Sequence, residues 1–137
     1  MPTRQVFVDT SAWLAVINES DDRHAEAVEI YKRLLNSQTR LITSILVIAE
    51  TQIWLRRRVN SKSAETFLRN VNHSPRVNII YPDANAGKQA KKILEQFSDH
   101  DFSLTDAINF VMMKTMGIKE SFDYDSHFAT AGFTSLT

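Results

Sequence analysis

Cysteine is absent from this 137-residue chain, and glycine and proline occur only three times each. The first absence excludes thiol catalysis, Cys-zinc sites and a disulfide-stapled scaffold, and it suits a reducing compartment. The scarcity of glycine and proline excludes collagen-like and low-complexity chains. Charge of one sign is not in excess either: 16 basic residues balance 16 acidic ones. That balance argues against gripping a polyanion by bulk electrostatics, while leaving room for a local basic patch. No apolar run approaches the ~20 residues of a membrane span. The amino terminus shows no charged leader followed by a long apolar stretch, so a cytoplasmic protein without a signal peptide is expected. What remains is 43% hydrophobic and 23% charged, the composition of one globular domain over residues 1–137. A chain of this length buries roughly two-thirds of its unfolded surface without needing a metal or crosslink to fold.

Strand-like and helix-like segments alternate along the chain. Gln5-Val-Phe-Val-Asp9 is apolar, β-branched and too short for a helix, which predicts a buried strand. Thr10 and Ser11 are suited to cap a helix from Ala12 to Ile17, and a second helix is predicted to about Asn36. Leu41-Ile-Thr43 predicts a second strand. Ser44 opens an apolar helix to Arg57, and Asn60-Ser61 starts another. Val77 to Tyr81 predicts a third strand, and Asp83 caps the helix after it. Ser103 to Met116 is helical, with Gly117 placed as its stop. Glu120 to Tyr124 predicts a fourth strand and Phe133 to Leu136 a short fifth. The alternation implies an α/β fold with a mainly parallel sheet of four or five strands, covered on both faces.

In such sheets ligands collect at the carboxyl ends of the strands. Asp9 follows the first strand there, Asp123 and Asp125 belong to the end of the fourth, and Asp106 lies in the first turn of the preceding helix. Glu50 projects from an apolar arc between Leu46 and Trp54 on a helical wheel, where an unpaired carboxylate is costly. Each has an ordinary alternative. Asp9 and the pair Asp123 and Asp125 suit turns, Asp106 completes a capping box Ser103-Leu-Thr-Asp106, and Glu50 can pair with an arginine. Together, carboxylates converging on one crevice repel one another unless a divalent cation neutralises them. Magnesium fits hard oxygen ligands, and manganese fits the same set. Zinc is disfavoured without cysteine, and His24, His73, His100 and His127 have no ligand spacing and read as surface or structural residues.

Four blocks carry a family resemblance: Val6-Phe-Val-Asp9-Thr-Ser-Ala-Trp13, Thr43-Ser-Ile-Leu-Val-Ile-Ala-Glu50-Thr, Ser103-Leu-Thr-Asp106-Ala-Ile-Asn-Phe110, and Gly117 through Asp125-Ser-His-Phe128. In this order they resemble the PIN domain, and specifically the VapC-type toxin ribonucleases of bacterial toxin-antitoxin pairs. The resemblance implies a three-layer α/β/α fold and one or two Mg²⁺ or Mn²⁺ ions held by acidic residues. Asp9, Glu50 and Asp106 fall on the family's characteristic acidic positions. Asp125-Ser-His127-Phe128 fits the fourth block ungapped, which makes Asp125 the fourth acidic residue and Asp123 an extra carboxylate near the metal. A shifted alignment would put Asp123 in the fourth place. Hydrolysis by water would leave a 5′-phosphate and a 3′-hydroxyl, with Glu50 binding metal or orienting the water. Thr10, Ser11 and Thr105 are candidates for supporting hydrogen bonds.

Arg56-Arg57-Arg58 with Lys62, and Lys88, Lys91 and Lys92, form local basic clusters. They read either as solvated helix positions or as phosphate contacts. The helix from Ser44 to Arg57 is apolar nearly all round, as in a helix that sits mid-domain or meets a second copy. The resemblance implies an RNA substrate, a homodimer and an antitoxin that blocks the site. Three functions compete: a toxin endoribonuclease, a housekeeping RNA-processing nuclease, and a catalytically silent RNA-binding or interaction module. An aspartyl-phosphate phosphatase is disfavoured, because Asp9-Thr-Ser lacks a second Asp two residues on.

Overall fold

The computed structural model describes residues 3–137. Met1 and Pro2, where the amino-terminal reading begins, lie outside the described residues. Five strands, β1 (Gln5–Val8), β2 (Arg40–Ser44), β3 (Val77–Ile80), β4 (Glu120–Phe122) and β5 (Thr134–Ser135), form one sheet in the order β3-β2-β1-β4-β5. Every pairing is parallel. Val6, Phe7 and Val8 of the central strand are fully buried, so both faces of β1 are covered, as a parallel sheet requires. Among the described residues seven helices flank the sheet: α1 (Thr10–Ile17), α2 (His24–Asn36), α3 (Ile45–Arg58), α4 (Ser61–His73), α5 (Ala84–Gln96), α6 (Leu104–Met116) and α7 (Ser126–Thr130).

Local chemistry sets most of the boundaries. Ser44 caps α3 by accepting from the Val47 amide, Asn60 caps α4 through the Ser63 amide, and Asp83 caps α5 through the Ala86 amide. Gly117 ends α6 in the left-handed region at φ 71°, which suits a residue without Cβ. Two local expectations are corrected. The helix after β1 starts at Thr10, with Asp9 in the capping position, because the extended Asp9 backbone already hands its carbonyl to the Ala12 and Trp13 amides. The short α7 is an addition to the expected elements, since five residues are too few to show a period in the sequence.

A cluster of aromatic rings lies beneath the end of β4. Phe110 stands edge-on to Phe128 at 5.3 Å and to Phe102 at 5.2 Å, and Phe7 meets Phe128 at 5.8 Å. This cluster anchors α6 and α7 to the central strands, and the side chains carried by their first turns are held with them.

Candidate active site

β1 and β4 are neighbours, with Val8 in register with Phe122, and the Asp9 amide donates to the Phe122 carbonyl at 3.0 Å. The segments leaving these two strands therefore emerge side by side. Asp9 after β1, Glu50 on α3, Asp106 on α6 and Asp125 before α7 all line one crevice of about 340 Å³. Thr10, Ser11, Leu14, Asp21, Arg23 and Trp54 complete its walls. Four chain segments far apart in sequence thus deliver a carboxylate to one place.

Asp9 is the most enclosed of the four, at 9% exposure. Burial pushes its carboxyl up to about 7, opposed by the Thr10 backbone and the Ser11 hydroxyl and reinforced by the Asp125 charge. Ser11 Oγ donates to Asp9 Oδ2 at 3.1 Å and accepts from the Tyr124 amide at 2.9 Å, tying the turn after β4 to the start of α1. Asp106 combines both of its readings. It completes the capping box with Ser103, both bonds at 3.0 Å, and also faces the crevice. Asp125 caps α7 by accepting from the His127 amide at 2.9 Å.

Glu50 departs from its expected setting. It lies solvent-exposed on the crevice rim, because the arc of α3 that carries Glu50 and Ile53 is not the arc packed on the domain; Val47, Ile48, Thr51 and Leu55 are. Partial burial still raises its carboxyl, with the Asp106 charge adding to this and the Thr105 hydroxyl opposing it. Asp123 is not among the crevice walls. At 1% exposure it accepts from Ser121 Oγ at 2.5 Å and from the Asp125 amide at 3.1 Å, shaping the turn that presents Asp125. Burial raises its carboxyl, and these bonds pull it down.

His127, expected as surface or structural, stands against the acidic cluster. Its Nδ1 lies 3.0 Å from Asp106 Oδ2 and 3.2 Å from Asp125 Oδ1, yet neither oxygen is aligned to accept from it, so the buried atom has no hydrogen-bond partner. Ligand atoms of Asp106, Asp125 and His127 lie within 4.8 Å of one another. Carboxylate oxygens beside an unpartnered ring nitrogen suit a divalent cation that accepts both donor types. The signal for His127 was its place two residues after Asp125; no periodicity marks it.

The support beneath the site is a buried latch. Ser44 Oγ donates to Asn109 Oδ1 at 2.7 Å and accepts from the Val47 amide at 3.2 Å, with Ser44 and Asn109 both fully buried. Trp13 Nε1 donates to Thr43 Oγ1, which donates to the Val8 carbonyl at 2.9 Å. These bonds fix α3 and α6 relative to β1 and β2. Ser44→Ala strands the Asn109 carbonyl and a helix-end amide, so it should cost about 1–3 kcal/mol. Urea unfolding should show a lower midpoint at unchanged slope; an unchanged midpoint would show that these bonds add nothing to stability.

The basic residues fall differently from expectation. Arg56, Arg57 and Arg58 are exposed in the last turn of α3, and Lys88, Lys91 and Lys92 are exposed on α5. Among the described residues none of them lines the crevice, and Arg23 is its one cationic wall residue. Lys62 lines a separate apolar groove beside Trp13, Tyr31 and Phe67. Among the described residues no helix is long and apolar enough to cross a membrane.

A parallel five-stranded sheet flanked by helices, with an acidic crevice over the ends of its two central strands, defines a PIN-like α/β domain. The PIN domain signature matches residues 6–133, and the chain belongs to the PIN-domain family. It is 33% identical over 132 residues to the 23S rRNA-specific endonuclease VapC20 of Mycobacterium tuberculosis, covering 96% of this chain and 97% of that protein. The crystal structure of VapC20, described as a Sarcin-Ricin loop cleaving toxin, superposes with a TM-score of 0.83 over 94% of this chain and 96% of that one, at 32% identity. DNA-bound VapBC from Salmonella typhimurium shares the fold at a TM-score of 0.68 and 12% identity, covering 98% and 97% of the two chains.

Proposed function

We propose that this protein is an endoribonuclease toxin of the VapC type, which hydrolyses RNA phosphodiester bonds with Mg²⁺ or Mn²⁺ and is restrained by a cognate antitoxin. The observation that carries the reading is the delivery of Asp9, Glu50, Asp106 and Asp125 to one crevice from four separate segments. Asp106, Asp125 and His127 bring ligand atoms within 4.8 Å of one another, and in this reading Asp9, in the wall of the same crevice, completes the set that holds the cation. When bound, a divalent ion lowers the pKa of the attacking water and offsets charge gathering on the phosphoryl group. In this reading Glu50, on the open rim with a raised pKa, orients the attacking water and takes its proton. Ser11 holds Asp9 in orientation from one side while Thr10 lines the wall beside it. Attack by water leaves a 5′-phosphate and a 3′-hydroxyl.

The likeness to VapC20 makes 23S rRNA the first substrate to try. The toxin-antitoxin complexes among the structural relatives support an antitoxin partner. The apolar groove of about 440 Å³ between α1, α2 and α4, with Trp13, Tyr31 and Phe67 in its walls, suits a segment of that antitoxin. In this reading the chain forms a homodimer, as the resemblance to VapC-type toxins implies. In this reading the protein acts in the cytoplasm, where its RNA substrate is met.

Purified protein incubated with ribosomal RNA should cut it when Mg²⁺ or Mn²⁺ is present, stop on addition of EDTA, and resume when the metal is restored in excess. End mapping should find 5′-phosphates. Cleavage that persists in EDTA, or ends bearing a 2′,3′-cyclic phosphate, would refute the mechanism. An RNA-binding module without catalysis would leave every RNA intact in all three conditions.

A further inference from the structure

Among the described residues five carboxylates face the crevice, from Asp9, Asp21, Glu50, Asp106 and Asp125, against the single guanidinium of Arg23. A polyanion approaching that mouth meets repulsion everywhere except beside Arg23 and the cation site. The guanidinium is held in place. Arg23 Nε lies 3.1 Å from Asp21 Oδ1 and Nη2 lies 3.2 Å from Oδ2, and the group sits 4.6 Å over the Tyr124 ring. Tyr124 is itself fixed at both ends. Its hydroxyl donates to Glu26 Oε1 at 2.9 Å and its amide to Ser11 Oγ, the hydroxyl that also bonds Asp9. A continuous set of contacts thus sets the position of Arg23 relative to Asp9.

Stability does not account for this arrangement. An ion pair two residues apart, with its Arg side chain 46% exposed, contributes ~0–1 kcal/mol. The pair does leave chemistry available: two of the five guanidinium N–H groups face Asp21, and the rest of the fork is uncommitted. A planar cation, oriented and half-open to solvent beside a phosphodiester-cleaving crevice, matches a phosphate oxygen better than a flexible lysine would.

Resting on the nuclease reading, we propose that Arg23 is a substrate-positioning residue that binds an RNA phosphate neighbouring the scissile one and sets the register of the strand in the crevice. Asp21 and Tyr124 hold the guanidinium ready for it. The polar break after α1 is then part of the substrate site, and the exposed arginines ending α3 are secondary to it.

The test compares wild type, Arg23→Gln and Arg23→Lys on one labelled ribosomal RNA hairpin with Mn²⁺, measuring KM and kcat over a series of salt concentrations. Direct Mn²⁺ titration and melting temperature serve as separate readouts. Arg23→Gln should raise KM about tenfold with kcat nearly kept, and should lower the slope of log KM against log salt by about one phosphate contact. Arg23→Lys should recover the slope and only part of KM, because it restores charge without the fork. Mn²⁺ affinity and melting temperature should not move. Equal KM and equal slope in wild type and Arg23→Gln would overturn the inference. So would a fall in kcat matched by weaker Mn²⁺ binding, which would make Arg23 an electrostatic support of the acidic cluster. A wild type that cuts no RNA would instead end the nuclease reading.

Discussion

On the proposed mechanism, Asp9→Asn should slow RNA cleavage by about a thousandfold or more, since it removes a carboxylate assigned there to the cation and with it several kcal/mol of charge stabilisation. The same substitution should make the metal-free protein melt higher than wild type above pH 7. Burial lifts the Asp9 carboxyl from its ordinary value of 3.8 to about 7. Between those two values the folded chain keeps a proton that the unfolded chain has released. Wild-type stability therefore falls as pH rises through this window and levels off above it. At ~1.4 kcal/mol per unit the lost stability is a few kcal/mol. Asparagine has no such dependence, so the gap between the two proteins should open from pH 5 to pH 8. Adding Mn²⁺ at pH 8 should raise the wild-type melting temperature and leave the variant behind, because a bound cation favours the ionised carboxylate. Thermal melts at both pH values, with and without Mn²⁺, check all of this. Parallel pH profiles for the two proteins would show that Asp9 is not under that strain.

Asp125→Asn and Asp123→Asn should fail in opposite ways. Asp125 reaches the crevice and its main internal bond, from the His127 amide, can be kept by an amide oxygen. Its variant should lose cleavage by about a hundredfold or more with little change in melting temperature. Asp123 accepts donors at both oxygens, Ser121 at one and the Asp125 amide at the other. Asparagine keeps the Asp125 amide with its oxygen but turns an N–H toward Ser121 Oγ, which must reverse from donor to acceptor and leave its own buried proton without a partner, so a cost of about 1–3 kcal/mol in stability is expected. Cleavage by folded Asp123→Asn at low temperature should remain well above that of Asp125→Asn. The reverse order would move the fourth acidic role to Asp123.

Much of the scaffold was legible because its signals are local. Ser44, Asn60, Asp83 and Ser103 each cap a helix within three residues of themselves, and Gly117 stops one. The apolar run Val6-Phe-Val8 could belong only to a strand covered on both faces. The convergence of Asp9, Glu50, Asp106 and Asp125 was legible only through the order of four motif blocks, since no local pattern relates residues so far apart. Glu50 shows the limit of a helical wheel. The wheel places it between Leu46 and Trp54, but which arc of α3 meets the domain is decided by β2, α1 and α4. Arg23 and His127 escaped for the same reason. Arg23 joins the crevice through Tyr124, about a hundred positions away in the chain, and His127 lies on a helix too short to have a face.

Asp106 carries two obligations through one side chain: Oδ2 accepts from the Ser103 amide at the start of α6, and the same carboxylate borders the crevice. A lineage that abandoned cleavage would still have folding reasons to retain this aspartate. Glu50 has no such second employment; it caps no helix and sits on the exposed rim with the Thr105 hydroxyl as its neighbour. Among relatives of this chain, persistence of the first is therefore poor testimony of activity, and replacement of the second is the earlier mark of a retired enzyme.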